Sequence, residues 1–272
     1  MELIKPSIEL WRQGVDWQAH VAKCARVCYA SLREDRNEHM VRNLMNNDHW
    51  SMFRHYSVYL IFPIRVLEQL KPEHLKNPYV DYDLYDNKCY IATNGQYWFE
   101  LLKGHYPQLE EYLVDELQFI NTPIGHRLAR YTFKVVTQIS TSRELNRVSP
   151  NNIAEQSTRY VYENGKICEP HWYNQTNALA YEFLKSNYEY ACDVAFDQYR
   201  TLVKNGLHRQ DARGVLPLDT ATICIYTYNI KEWRHIIDLR YYGTTGKPHP
   251  NAKIIAGMIR NELINEGYDF RD

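Results

Sequence analysis

Apolar positions recur along this chain with two distinct periods, and the switches between them mark its elements. Trp17, Val21, Cys24 or Ala25, and Cys28 fall at helical spacing, so Val15 to Ala30 is predicted as an amphipathic helix. Glu38 to Asn47, with Met40, Val41, Leu44 and Met45, predicts a second. The longest stripe runs from Asn177 to Asn205 through Ala180, Leu184, Tyr188, Cys192, Ala195, Tyr199 and Leu202, with Gly206 as a C-terminal stop. That stripe is expected to be core. Lys231 to Leu239 and Pro250 to Gly267 complete the helices, the last with proline in its first turn. β-Branched and aromatic runs predict strands at Ser57 to Ile64, Tyr131 to Ile139 and Thr220 to Tyr228, with a strand or extended lead over residues 1–10. Val161 to Pro170 reads as a hairpin or loop around an Asn164-Gly165 turn.

This order predicts an α+β fold: a single domain over residues 1–272 with a mixed or antiparallel sheet flanked by helices. Residues 66–121 read as an insertion. It holds a turn-rich stretch (71–87), a short strand Lys88 to Asn94, and helices at Gln96 to Lys103 and around Gln108 to Ile120. A local structural or interface role is expected for it.

Val136 to Tyr160 departs from both periods. A strand gives way to a polar helical run, Thr141 to Arg147, which Ser149-Pro150-Asn151-Asn152 breaks, because proline disfavours α geometry in the residue before it. A second polar cluster follows: Glu155, Gln156, Ser157, Thr158, Arg159 and Tyr160. So polar a segment gains nothing from core burial. It is either solvated surface or a binding site.

Composition narrows the chemistry. Hydrophobic residues at 44% and charged residues at 24% of 272 are the balance of an ordinary globular protein with a sizeable core. A net charge of −1 supplies no basic field for a nucleic-acid backbone, so an anionic partner is expected to be small and met by local arginines. The 23 tyrosines suit polar pockets, since each couples an apolar ring to a hydroxyl. No apolar run approaches the roughly 20 residues that span a bilayer, and no signal-peptide pattern opens the chain, so no membrane partner is expected. The six scattered cysteines suggest a reduced, cytoplasmic protein; Cys24 and Cys28 read as a buried pair rather than metal ligands, and no metal site is expected. The chain lacks GxSxG, HExxH, GxGxxG and CxxC, and its GTTGKP loop lacks P-loop spacing. No cysteine stands in a Pro-Cys-His context suited to attack on a pyrimidine ring. Arg147, Arg159, Arg213 and Arg240 each lie near the end of a predicted element. Singly each reads as a surface ion-pairer. Together with Ser157, Glu144 and Glu155 their guanidinium forks could hold a nucleotide monophosphate.

These residues resemble the flavin-dependent thymidylate synthases, whose signature has the form RHRxxSxNExSxRY. On this chain it covers Arg147 to Tyr160, with Arg147, Glu155, Ser157, Arg159 and Tyr160 on matching positions and Glu144 on the Gln/Glu before it. AKCARVCYAS is similar to the family's AARVCY helix, and DHWSMFRHYSVYLIF to its HxSxxEH loop and strand. DARGVLPLDT is similar to its ARxxLP turn, and YNIKEWRHIIDLR to its helix ending in Leu-Arg. The departures concern chemistry. The family's RHR is Arg147-Val148-Ser149, its EH is Arg54-His55, its signature Ser and Asn are Asn152 and Ala154, and a downstream histidine aligns with Thr244.

The resemblance implies reductive C5 methylation of dUMP to dTMP, with FAD as cofactor and NADPH and methylenetetrahydrofolate as co-substrates. It implies nucleotide contacts at Glu144, Ser157, Arg159, Arg213 and Arg240, Arg213 being the catalytic candidate over the pyrimidine carbonyl. It implies flavin contacts at Ser51, His55, Arg147, Glu155, Asn229, Lys231 and His235. It also implies a homotetramer with shared active sites. The altered Val148-Ser149 pair keeps two alternatives open: a C5 methylase or hydroxymethylase of another pyrimidine nucleotide, or a nucleotide-binding homologue without catalysis.

Overall fold

The computed structural model describes residues 1–31, 36–147, 152–174 and 178–270, without the side chains of 178–180. Ten strands follow in order: β1 (Glu2–Ile4), β2 (Ser7–Trp11), β3 (Ser57–Pro63), β4 (Val80–Tyr85), β5 (Lys88–Asn94), β6 (Leu113–Val114), β7 (Arg130–Gln138), β8 (Ile153–Glu155), β9 (Lys166–Cys168) and β10 (Ala221–Asn229). The main helices are α1 (Trp17–Val27), α2 (Asn37–Asn46), α3 (Ile139–Leu145), α4 (Ala178–Lys204), α5 (Ile230–Ile237) and α6 (Pro250–Asn265). The architecture is α+β, and its strands divide among three sheets rather than one.

The central antiparallel sheet has the order β2-β7-β10-β8. β7 and β10 pair from Arg130↔Asn229 to Gln138↔Ala221. Because side chains alternate along a strand, Tyr131, Phe133 and Val135 share one face with Cys224, Tyr226 and Tyr228. That face packs on Trp233 and Ile237 of α5 and on Ile255, Ile259 and Leu263 of α6. Ile225 on the other face meets Cys24 of α1.

The second antiparallel sheet, β4-β5-β3-β6, is built largely from the expected insertion, which supplies three of its four strands. Its core joins Val58, Leu60, Phe62 and Ile91 to Val21 and Ala25 of α1 and to Val41 and Leu44 of α2. The turn-rich reading of residues 71–87 misses β4. Val80–Tyr85 carries two aspartates, and its strand state comes from pairing with β5 through a turn with Asp86 and Asn87 at positive φ, not from burial. The helix expected around Gln108 to Ile120 is a 3-10 turn (Pro107–Tyr112), β6, and a short helix Glu116–Ile120 capped by Asp115. No hairpin forms at Val161 to Pro170: β9 pairs in parallel with β1 instead, as Gly165 turns the chain at φ 89°.

Of the α4 stripe, Cys192 and Tyr199 are buried and Tyr188 packs with Cys192 and Phe196 on the cluster around Ile167, whereas Leu184 is exposed; Phe183, Tyr190 and Val194, which lie off the stripe, are exposed as well. Among the described residues no helix is long and apolar enough to cross a membrane, no cluster suits a metal ion, and all six cysteines are free.

Candidate functional site

The start of the Val136–Tyr160 stretch is folded by pairing. β7 ends at Gln138 and α3 begins at once, its Ile139 and Ser140 amides donating to the carbonyls of Thr220 and Leu218. Residues 148–151, which include the altered Val148 and Ser149, lie outside the described residues. The chain then adds β8 to the edge of β10, a strand too short for its pattern to announce. Beyond it, the Gln156 amide donates to Ile223 O (2.8 Å) and the Ser157 amide to Cys28 O (3.0 Å). These bonds pin Gln156 and Ser157 between β10 and the end of α1.

A cleft of about 610 Å³ opens between this segment, α3 and the turn at 213–218. Ser142 and Arg143 come from α3, and Glu155, Gln156, Ser157 and Thr158 from β8 and its extension. Arg213 is positioned by the short helix Arg209–Ala212, whose Ala212 is fully buried. Arg213 Nη1 donates to Thr158 Oγ1 at 2.9 Å. Glu155 Oε1 accepts from Ser142 Oγ (3.0 Å) and Thr222 Oγ1 (3.2 Å), which aims the carboxylate before any ligand arrives. Ser157 Oγ accepts from the Arg159 amide at 3.2 Å. The Arg159 guanidinium lies over the Tyr160 ring at 5.3 Å and donates to Gln210 at 3.4 Å. Among the described residues neither Arg159 nor Arg213 pairs with a carboxylate, so both keep their charge for an anion.

Glu144 and Arg240 stand apart from that group. Arg240 Nη1 pairs with Glu144 Oε2 at 3.1 Å, and its Nε donates to the Glu144 carbonyl at 2.9 Å. The two bind each other and tie α3 to the π-helical turn Asp238–Tyr242. Arg147 is exposed just past the end of α3.

The seven residues assigned to flavin separate further. Lys231 and His235 are exposed one turn apart on α5 and share a second cleft, about 760 Å³, with His126, Arg127 and Arg234. Ser51 is exposed in the 3-10 turn Trp50–His55. His55, expected in a ligand-facing loop, is fully buried, and its Nδ1 meets Thr227 Oγ1 at 2.8 Å. Burial pushes its pKa down to about 3, with His20, Arg130 and Arg54 adding to the effect. Asn229 caps α5: its Oδ1 accepts from the Glu232 amide (2.7 Å), the Glu232 carboxylate accepts from the Asn229 amide (3.0 Å), and its Nδ2 donates to Asp81. The fold thus engages His55 and Asn229 in its own bonds. The sequence reading assigned no role to Ser142, Arg143 and Thr158, although all three stand in its polar runs.

The site offers no thiolate. Cys224, under Glu155, is fully buried, and burial and the nearby carboxylate push its thiol well up. Burial raises the Cys28 thiol as well. The polar groups that remain can bind an anion and orient a ring, but they supply no sulfur nucleophile.

The profile of the family described as "thymidylate synthase complementing protein" matches residues 112–264. No curated protein matches the chain. Two solved structures of the UMP/dUMP methylase PolB from Streptomyces cacaoi, bound with 5-Br dUMP and with 5-Br UMP, are similar to it at 18% identity and a TM-score of 0.49. Each comparison covers 97% of this chain, and respectively 93% and 92% of the other.

Proposed function

Since the chain belongs to the thymidylate synthase complementing protein family, we propose that its 610 Å³ cleft binds a pyrimidine nucleoside monophosphate and that the chain methylates the base at C5. The carrying observation is Arg213, held on Thr158 in the same cleft as Glu155 and Ser157 and paired with no carboxylate among the described residues. The cleft is of the size that small ligands fill. Arg159 and Ser157 would take the phosphate. The Arg213 fork would sit against a ring carbonyl and favour the charge that develops there as C5 becomes nucleophilic, the logic of an oxyanion hole.

The full reading is reductive methylation of dUMP to dTMP, with methylenetetrahydrofolate giving the carbon and NADPH the reducing equivalents through FAD. Bound flavin supplies the hydride chemistry, and the protein supplies binding and orientation. Ser51, Arg147, Lys231 and His235 fit such a group, since their polar heads are exposed and no ion pair holds them among the described residues. Asn229 fits it less well because protein groups already take its polar atoms, and His55 because it is fully buried, although its Nε2 has no partner among the described residues.

Lys231 and His235 open into a different cleft from Arg213, which favours sites assembled from several copies of a single-domain chain in a homotetramer. The exposed Phe183, Tyr190 and Val194, spaced along one side of α4, supply an apolar face for that assembly. A second reading, C5 methylation or hydroxymethylation of another pyrimidine nucleotide, is favoured by Val148 and Ser149 standing where the family has His and Arg. Calorimetry with dUMP, UMP and dCMP, followed by product analysis with folate and NADPH, tests both. Tight dUMP binding with dTMP formed is expected. Binding without product would leave a nucleotide-binding homologue, and no binding of any of the three would overturn the site.

A further inference from the structure

Outside the cleft just described, two buried ionisable side chains lack a partner among the described residues: Glu163, whose carboxyl burial pushes up to about 7, and the guanidinium of Arg26. Arg26 lies in the last turn of α1, beside the buried Ala22 and Ala25, and is only 6% exposed. The buried Arg130 is satisfied, donating to Ser57 Oγ (3.3 Å) and the Arg54 carbonyl (3.0 Å). The buried Arg260 donates to the Tyr242 hydroxyl at 2.8 Å. Among the described residues no hydrogen bond or ion pair reaches the Arg26 guanidinium. An enclosed guanidinium without an acceptor is costly, so a fold that keeps one is expected to receive the acceptor from outside.

Arg26 lines two hollows that also share Ser31, one of about 630 Å³ and one of about 290 Å³. The larger has Lys23, Lys134 and Trp11 in its wall and no acidic lining residue among the described residues, although Glu9 pairs with Lys134 at 3.4 Å. The Lys23 ammonium lies 3.8 Å from the centre of the Trp11 ring, which holds that charge at the hollow. Gln156 lines both this hollow and the nucleotide cleft. The bond from the Ser157 amide to Cys28 O joins the end of α1 to the loop of that cleft.

We propose that the hollow around Arg26 is a second anion subsite, which takes a phosphate or carboxylate carried by an aromatic ligand whose ring reaches the nucleotide cleft past Gln156. The guanidinium fork takes two oxygens of such a group and Lys23 adds a second charge. A dinucleotide pyrophosphate and the glutamate carboxylates of a folate share this chemistry. The naming of those ligands rests on the nucleotide reading of the neighbouring cleft; the anion subsite does not.

Calorimetry on the whole chain tests it, with inorganic pyrophosphate, FAD, NADPH and methylenetetrahydrofolate titrated separately into the wild type, Arg26→Gln and Lys23→Ala. At least one aromatic ligand is expected to weaken about tenfold or more in both variants, and which one identifies the source of the anion. The affinity for dUMP is expected to stay within about twofold, because neither residue lines its cleft. Unchanged binding of all four ligands in both variants, absence of any binding to the wild type, or dUMP weakening in step would overturn the subsite. Should Arg26→Gln fail to fold, the exposed Lys23→Ala carries the same comparison. Arg26-dependent pyrophosphate binding without dUMP binding would retain the subsite and overturn the nucleotide reading.

Discussion

Two polar regions of the molecule, both rich in residues that could meet a ligand, are used in opposite ways. In the seam between α1, the central sheet and the turn before β3, every link is internal. His20 Nε2 meets Thr132 Oγ1 (3.2 Å), Thr132 meets its cross-strand partner Thr227 (2.8 Å), and Thr227 meets His55 (2.8 Å). Both histidines are buried and held neutral, His20 with a pKa pushed down to about 4. In the cleft beside β8, Glu155 is fixed from beneath by Ser142 and Thr222, while among the described residues Arg213 and Arg159 bond only to neutral side chains. The comparison teaches that residue type does not separate a ligand site from a structural network. What separates them is burial and charge: the seam closes one unpartnered imidazole nitrogen, His55 Nε2, off from solvent, whereas the cleft exposes two guanidinium groups that our proposed assignment gives to an anion.

Acidification should strike the seam hardest. The folded pKa values of His20 and His55 lie below the ordinary value near 6.5, so the unfolded chain takes up protons that the folded one refuses. Their contribution is complete above about pH 6.5 and is lost as the pH falls toward about 4 for His20 and about 3 for His55. The slope is about 1.4 kcal/mol per pH unit for each histidine at most. Guanidinium unfolding of the wild type, His20→Gln and His55→Gln at a series of pH values checks this, because Glu163 and Glu232, pushed up to about 7 by burial, work in the opposite direction over the same window; a pH dependence identical in all three would contradict it. Arg213→Ala comes next. It should cost about a hundredfold in nucleotide affinity or turnover while leaving the unfolding midpoint nearly unchanged, since Arg213 is exposed and bonded only to Thr158. A fully active variant would show that the cleft is misassigned.

Thr227→Val is the converse of Arg213→Ala. It strips His55 Nδ1 and Thr132 of a buried partner and should lower stability by about 1–3 kcal/mol, with dUMP affinity unchanged. A drop in affinity as large as the drop in stability would mean that the two regions are coupled. Lys231→Ala should have the smallest effect, a loss of FAD retention of about tenfold or less, read from the visible spectrum after gel filtration. Retention unchanged in Lys231→Ala and also in His235→Ala would remove the second cleft from the flavin site.

How much of this was legible beforehand depended on whether local pattern or distant pairing set each feature. The strands at Tyr131 and Thr220 and the helices through Val21, Leu44 and Trp233 follow from period alone, and the structure has them within a few residues of the expected ends. β4 and β8 were not legible, because edge strands of mixed polarity are held by hydrogen bonds to a neighbour the pattern does not name. The start of α4 was misleading: helical spacing groups Leu184 with Tyr188, yet Tyr188 packs on the Ile167 cluster while Leu184 stays exposed, because spacing does not show what covers each turn. Ser157 and Arg213 were legible as chemistry, whereas the engagement of His55 by Thr227 and of Asn229 by Glu232 was not.

The order of residues by itself determined the element types, the α+β class and the segment where polar groups cluster, since these depend on neighbours within a few turns of chain. Only the tertiary structure decided which polar groups are spent. Thr132 and Thr227, far apart in sequence, become a bonded pair that holds His55 Nδ1 inside the core. Thr158 and Arg213 become a pair that still faces a cleft. Arg26, on a helix that reads as ordinary, becomes a buried charge that no described residue meets. The physical reason is the same in each case: the cost or value of a polar atom is set by the partner within hydrogen-bond reach, and folding, not spacing, chooses that partner.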